Sequence, residues 1–267
     1  MENYLELNND GQTKFIQDDV DKALKLNENG QYAKALDVIN SIKNQNYRSY
    51  NAKGLILSNL SEFSQAIECF DIAISLNDLD EIKANKANAL YKWSKITFFP
   101  EMNYIKSMKL IDKALETLPD SEDPAEFWFL KAEILEAQNE LIDAHKCYLK
   151  AYNEFEKLEE LEDQIEYLNN TNDTVFIITG TSYYGEFSPQ HGMRVKLVKE
   201  TDNEHDPNAI AIYFEDEKIG YVANNDYTLI DEVKSANNIN HLITDDSEGE
   251  VLFVFLGEYI IAKLINV

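Results

Sequence analysis

Apolar residues recur at spacings of three and four between residues 14 and 168, the signature of amphipathic helices, and then switch to period two. The first stretch is rich in Ala, Leu, Glu and Lys, and Gly11, Gly30 and Gly54 are the only glycines of residues 1 to 173. After the polar run NNTND at 169 to 173 come short β-branched and aromatic runs: VFIIT, MRVKLV, AIAIYF, KIGYV, EVLFVFL and EYIIAKLI, bounded by Gly, Pro and Asn. Such runs predict strands. One helix is predicted among them, over 225–236, with Leu229, Ile230 and Val233 on one face. The chain therefore changes fold class near residue 170.

The helical part repeats. Aligning NGQYAKALDVI, LSEFSQAIECF, MNYIKSMKLI and QNELIDAHKCY puts Ala35, Ala66, Ser107 and Ala144 at one position. Tyr32, Phe63, Tyr104 and Leu141 stand three residues earlier, and Ala23, Gly54, Ala87 and Ala132 form a second small-residue series in the preceding helices. Small residues at both places let paired helices approach, while the bulky residue fills the space beside the turn. This self-similarity resembles the tetratricopeptide repeat (TPR). The fourth repeat matches best, with Trp128, Ala132, Leu135, Ala144, Tyr148 and Ala151 in register. Spacings between the aligned small residues of the second helices are 31, 41 and 37. The surplus of the third repeat falls in KITFFPEMN and is expected as an enlarged turn carrying Phe98 and Phe99, because Pro100 breaks a helix.

The expected organisation is an N-terminal arm (1–13), four TPR-like repeats (14–155), a capping helix and linker (156–173) and a β domain (174–267). The TPR resemblance implies a concave groove for a protein partner and no catalytic site. The family's carboxylate clamp uses Lys, Arg and Asn on the inner helices. The corresponding positions here are Val20 and Leu24, Asn51 and Leu55, Ala84 and Asn88, Phe129 and Glu133, so a chaperone tail is not the expected ligand. Glu126, Glu133 and Glu136, with Phe129, Asn88 and Asn51, would line the groove and suit a basic or neutral peptide. The same glutamates also fit an ordinary solvated face.

The β part carries ITGTSYYGEF followed by MRVKLVKETDNEHDPNAIAIYFEDEKIGYVANND. These segments resemble the HIRAN domain, whose pattern contains G-x-x-Y-Y, an N-x-x-D-x-N-A-I core and I-G-Y-V-P. The resemblance implies a small, partly open β-barrel related to the OB fold. In a remodelling helicase of the family, the domain captures the 3′-hydroxyl end of single-stranded DNA. Aromatic side chains sandwich the terminal bases, and an Asp accepts from the sugar hydroxyl. Carried over, the tandem tyrosines are Tyr183 and Tyr184, the first favoured as the stacking platform. His205 stands before the hydroxyl-binding Asp206, and Tyr221 follows the I-G glycine. Two departures stand out: Ser182 replaces a basic residue, and Lys199, Glu200 and Thr201 replace Arg-Glu-Pro. Apart from the family, Tyr183 and Tyr184 read as strand neighbours with one facing outward, and Asn203, Asp206 and Asn208 also fit a side-chain-bonded turn.

Charge limits these expectations. The 24 Lys and Arg against 49 Asp and Glu give a net charge of -25. Residues 174–267 hold five Lys and one Arg against 16 Asp and Glu, a net of -10. Phosphate neutralisation drives non-specific DNA binding, and only Arg194, Lys196 and Lys199 supply it locally. A broad DNA coat is excluded, whereas a stacking pocket at a strand end is not. Two cysteines, Cys69 and Cys147, cannot build a zinc ribbon. No P-loop, dinucleotide-binding glycine fingerprint or H-E-x-x-H occurs. No cofactor, metal or enzymatic activity is expected, and the absence of a long apolar run points to a cytoplasmic protein without membrane contact. The functional expectation is a non-catalytic adaptor. Its TPR groove holds a protein partner, and its HIRAN domain holds single-stranded DNA 3′ ends or damaged DNA in repair or replication. The alternative is a pure protein-interaction scaffold.

Overall fold

The computed structural model describes residues 17–185, 187–224 and 233–265. The arm expected over 1–13 and most of the helix expected over 225–236 lie outside these residues. Two compact units meet at the Glu154 to Phe155 junction.

The first unit is built of helices α1 (17–28), α2 (Tyr32–Ser41), α3 (Tyr47–Asn59), α4 (Phe63–Leu76), α5 (Asp80–Phe98), α6 (Tyr104–Thr117), α7 (Ala125–Ala137) and α8 (Leu141–Ala151). The second helices start at Tyr32, Phe63, Tyr104 and Leu141, the bulky residues that the repeat alignment singles out. Helices pair as hairpins (α3 with α4, α5 with α6, α7 with α8), each hairpin packs on the next, and the first helices α3, α5 and α7 touch in series. This is a TPR-like solenoid. Its crossings depend on the small residues: Ala35, Ala66, Ser107 and Ala144 are all buried, as are Ala23, Ala87 and Ala132. At Gly54 a Cβ would lie 2.7 Å from the fully buried ring of Phe70.

The third repeat solves its crossing differently. Ser107 replaces alanine and faces Ser94 of α5. Each hydroxyl donates to the other residue's carbonyl at 2.8 Å, and the two oxygens lie 2.9 Å apart. Both serines are fully buried, and mutual bonding removes the roughly 1–3 kcal/mol penalty of leaving such groups unmet. The surplus residues are not simply an enlarged turn. Helix α5 runs through Lys95–Phe98, so KITF is helical and only 99–103 turns. Phe98 is held against Tyr104 with ring centroids 5.9 Å apart, which favours continuing the helix. The residue before Pro100 is then forced out of helical geometry, and Phe99 adopts extended backbone angles.

The second unit opens with α9 (Phe155–Asn170) and continues into six strands: β1 (Val175–Thr179), β2 (Arg194–Lys199), β3 (Ile210–Phe214), β4 (Glu217–Val222), β5 (Glu248–Phe255) and β6 (Tyr259–Leu264). All six predicted runs are strands. They form a closed antiparallel barrel in the order β1-β4-β3-β2-β5-β6, with β1 also bonded to β6. The partly open barrel expected from the family resemblance is therefore corrected: both edges of β1 are paired. Closure is helped by two bulges, one opposite Ile212 and Tyr213 and one near Leu252, each bending its strand. Phe176, Ile178, Val195, Leu197, Ile210 and Ile212 fill the interior at period two.

Of the helix expected over 225–236, residues 233–235 are not helical. Lys234 N donates to Val175 O and Ala236 N to Ala223 O, so barrel carbonyls take the donors that a helix would use. A short helix, α10 (Ala236–Ile239), follows. On α9, Tyr167 meets Phe253 edge-on at 6.0 Å. Its hydroxyl donates to Asp173, which also pairs with Lys263.

Gly54→Ala adds about 1 kcal/mol of helix propensity but overpacks a ring with no room to move, typically at a cost of about 1–3 kcal/mol. A net loss is expected in thermal unfolding followed by far-ultraviolet circular dichroism. The same substitution in a Phe70→Leu background should be neutral or stabilising; a loss of equal size there would refute the steric account.

Candidate nucleic-acid interface

The site begins where β1 stops. Gly180, with φ of +75°, takes the left-handed conformation that disfavours other residues, and a 3-10 turn over Thr181–Tyr183 follows. The tyrosine pair is thus not on a strand, correcting the expected in-and-out alternation. Tyr183 is 87 % exposed, and Tyr184, 41 % exposed, leans back so that its ring meets Tyr221 of β4 at 6.0 Å, nearly edge-on.

The bulge in β4 sets the wall behind Tyr184. Ile212 pairs with Gly220 but Tyr213 pairs with Lys218, which leaves Ile219 as the extra residue. A bulge shifts the alternation by one, so Lys218 and Tyr221 share a face. The Lys218 ammonium sits 4.1 Å from the Tyr221 ring centroid and 5.3 Å from that of Tyr184. It donates to Glu200 at 2.6 Å and to the Tyr221 hydroxyl. Tyr221 in turn donates to Glu200 at 2.9 Å, and Asn203 does so at 3.1 Å. Burial alone would lower the Lys218 pKa, but the bonds to Glu200 and Tyr221 outweigh it and raise it above the usual lysine value. At Glu200 burial pushes upward, and donation from Lys218, Asn203 and Tyr221 brings the net shift below the usual carboxylate value.

The loop after β2 is held by its own side chains. Asn203 Oδ1 accepts from the amides of His205 and Asp206. The Asp206 carboxylate accepts from Asn208 N at 2.8 Å on one oxygen and from Asn224 Nδ2 at 2.8 Å on the other. Asn237 N donates to Asn224 Oδ1, and Asn208 Nδ2 donates to Asn237 Oδ1, closing a ring of four residues. The side chains of Asn203 and Asp206 thus hold the turn, whereas that of Asn208 reaches across to Asn237.

Tyr184, His205, Asp206 and Tyr221 converge on one pocket of about 640 Å³, completed by Thr179, Asn203 and Asn224. Tyr183 is not among its lining residues, so the inner tyrosine, not the favoured outer one, forms the wall. Arg194 and Lys196 also stand apart on β2. Arg194 is drawn toward Glu248 and Glu250 at 4.0 and 3.7 Å, and Lys196 pairs across the strands with Glu248 and Tyr213. Asn224 and Lys218 were not singled out by sequence. Asn224 lies just past the I-G-Y-V run, a signal that was available, whereas Lys218 is brought in by the bulge alone.

In the helical unit Glu126, Glu133, Glu136 and Asn88 are exposed. Asn51 bonds Asn85 of the next first helix at 3.1 Å. Phe129 packs against Tyr148 and, edge-on at 5.0 Å, Tyr152; Tyr148 donates to Glu136 at 2.8 Å. Burial, followed by Glu136, pushes the Tyr148 pKa up to about 12. Cys69 and Cys147 are buried, and burial raises both thiols. Among the described residues no group of His, Cys, Asp and Glu could hold a metal ion, and no helix is long and apolar enough to cross a membrane.

The sequence model of the HIRAN domain matches residues 171–231, and the second unit carries that domain. The pairing and stacking of its helices make the first unit a TPR-like array. Among solved structures the chain is similar to MamA. One crystal structure has 17% identity and a TM-score of 0.39, covering 54% of this chain and 81% of that one. A MamA RS-1 ArsTM double mutant has 14% identity and a TM-score of 0.30, with 57% and 97% covered. MamA 41-end from Desulfovibrio magneticus RS-1 has 15% identity and a TM-score of 0.29 at the same coverage. Scores this low add nothing to the helix register already described. No curated protein matches the chain.

At Gly220 a Cβ would lie 2.4 Å from the Thr179 carbonyl oxygen, a backbone atom. Gly220→Ala should destabilise the barrel by about 3 kcal/mol or more, since main chain cannot give way as a side chain can; tryptic digestion and thermal unfolding check this. Glu200 has a lowered folded pKa, so its stabilising share is complete above the unfolded value of about 4.3 and fades as pH falls through the folded one. Glu200→Gln removes that share. Denaturant titrations between about pH 5 and pH 3 should show the variant losing less stability on acidification than the parent.

Proposed function

We propose that the chain is a non-catalytic adaptor whose HIRAN domain holds the end of a single DNA strand while its TPR-like array holds a protein partner. The observation that carries the first half is the convergence of Tyr184, His205, Asp206 and Tyr221 on one pocket within the HIRAN segment. Tyr184 is exposed enough to stack a base, a contact worth roughly 1–3 kcal/mol. Asp206, already bonded to Asn208 and Asn224, still has lone pairs to accept from a sugar hydroxyl. Tyr183, Arg194 and Lys196 lie outside the pocket lining and are proposed to guide the strand beyond its terminal nucleotide. Glu126, Glu133, Glu136 and Phe129, with Asn88 and Asn51, are proposed to meet a basic or neutral peptide. Repair or replication in the cytoplasm is the proposed setting.

A second reading is a scaffold that binds protein alone. It is favoured by the pairing of Lys218, the nearest cation, with Glu200. Fluorescence anisotropy separates the two. Oligonucleotides ending in a free 3′-hydroxyl should bind more tightly than those ending in 3′-phosphate or blocked ends, with a shallow salt dependence because few phosphates are neutralised. Tyr184→Ala should weaken that binding by roughly 5- to 150-fold. Equal affinity for all three ends, or indifference to Tyr184→Ala, leaves the scaffold.

A further inference from the structure

Helices α6, α7 and α8 line a second, open pocket of about 510 Å³, to which none of the groove residues named above contributes. Its apolar lining is Met108 from α6, Trp128 and Leu135 from α7, and Cys147 from α8, with the exposed Ile105 at its edge. Its rim is cationic. Lys109, Lys131, Lys146 and Lys150 stand around it, against Glu140 and Asp143. In a chain with 49 acidic and 24 basic residues, four lysines on one pocket run against the overall charge. Lys131 bonds Asp112 at 2.7 Å and Lys146 reaches Asp143 at 3.8 Å, but Lys109 and Lys150 form no ion pair among the described residues. The Lys150 and Lys131 ammonium groups lie 4.6 and 5.5 Å from the Trp128 ring centroid.

We propose that this pocket binds an acidic peptide segment of a partner protein, inserting one bulky apolar side chain beside Trp128 and setting carboxylates on Lys109 and Lys150. The lysine stems extend the apolar floor while their ammonium groups stay in water, so one surface serves both parts of such a ligand. The cavity has room for one or two side chains. A nucleic-acid strand fits worse: Glu140 and Asp143 would face its phosphates, and the rim has no arginine to grip them in pairs. Burial raises the Cys147 thiol pKa, so the floor offers contact and not a nucleophile.

The test uses the full chain with Trp93→Phe, which leaves Trp128 as the single tryptophan reporter. Four probes are titrated: a blocked peptide of one Phe flanked by Glu residues, its Lys-for-Glu and Ala-for-Phe counterparts, and oligothymidylate. Saturable change in Trp128 fluorescence with the Glu-Phe peptide, weakened by salt and much reduced for the other three, is expected. Lys109→Glu with Lys150→Glu should cost about tenfold in affinity, as expected when two exposed ion pairs become repulsions, without altering the unfolding curve. No saturable signal, equal binding of the Lys or Ala peptides, or tighter binding of oligothymidylate overturns the proposal. Self-association of the chain abolished by the double variant would overturn it too, assigning the pocket to a second copy.

Discussion

The carbonyl of Thr179 presses so closely on Gly220 that no Cβ fits between them. That approach joins the last turn of β1 to β4 and leaves both edges of β1 paired in the closed barrel. It also fixes where β1 must end, since Gly180 can then turn through a left-handed conformation and send the tyrosine pair across the barrel rim. Tyr184 lands on Tyr221 because Tyr221 is itself registered against Thr179. The pocket wall is thus a consequence of one backbone contact.

Polar bonding carries the rest of the pocket. Glu200, Lys218 and Tyr221 are only partly exposed, and charges in that position are tolerated when each finds partners. Here each does, and the loop carrying His205 and Asp206 is anchored through the ring of Asp206, Asn224, Asn237 and Asn208. The arrangement has a functional cost. The nearest ammonium is committed to Glu200, so the site offers stacking faces and hydrogen-bond acceptors in place of a net positive field. That matches a unit whose overall charge opposes any long track of phosphates.

The helical unit follows a different economy of space. Its crossings are set by residues with almost no side chain, and where serine intrudes, a second serine answers it. Acidic side chains gather on the first helix of the fourth repeat, and lysines gather around Trp128 between the last three helices. A strongly acidic chain can therefore carry surfaces of opposite local charge.

How much of this was legible in the sequence depends on how local the cause is. The small-residue series and all six strands follow from periodicity and from residues a few positions apart, so the chain alone determined them, whereas the second helices start at Tyr32, Phe63, Tyr104 and Leu141, three residues ahead of the aligned small residues. The HIRAN motif grouped Tyr183, Tyr184, His205, Asp206 and Tyr221; the last four line one pocket and the favoured Tyr183 does not. Tertiary structure decided what depends on a partner element. KITF stays helical because Phe98 packs on Tyr104. The tyrosines leave the strand because β1 is stopped against β4. Lys218 joins Tyr221 because a bulge inserts Ile219, and the extra residue is defined only by the strand opposite. The lysine-rimmed pocket draws on residues from 105 to 150 across three helices. Periodicity records which face of an element is buried, but closure, bulges and pockets are set by the distance between elements, and that distance exists only in the folded molecule.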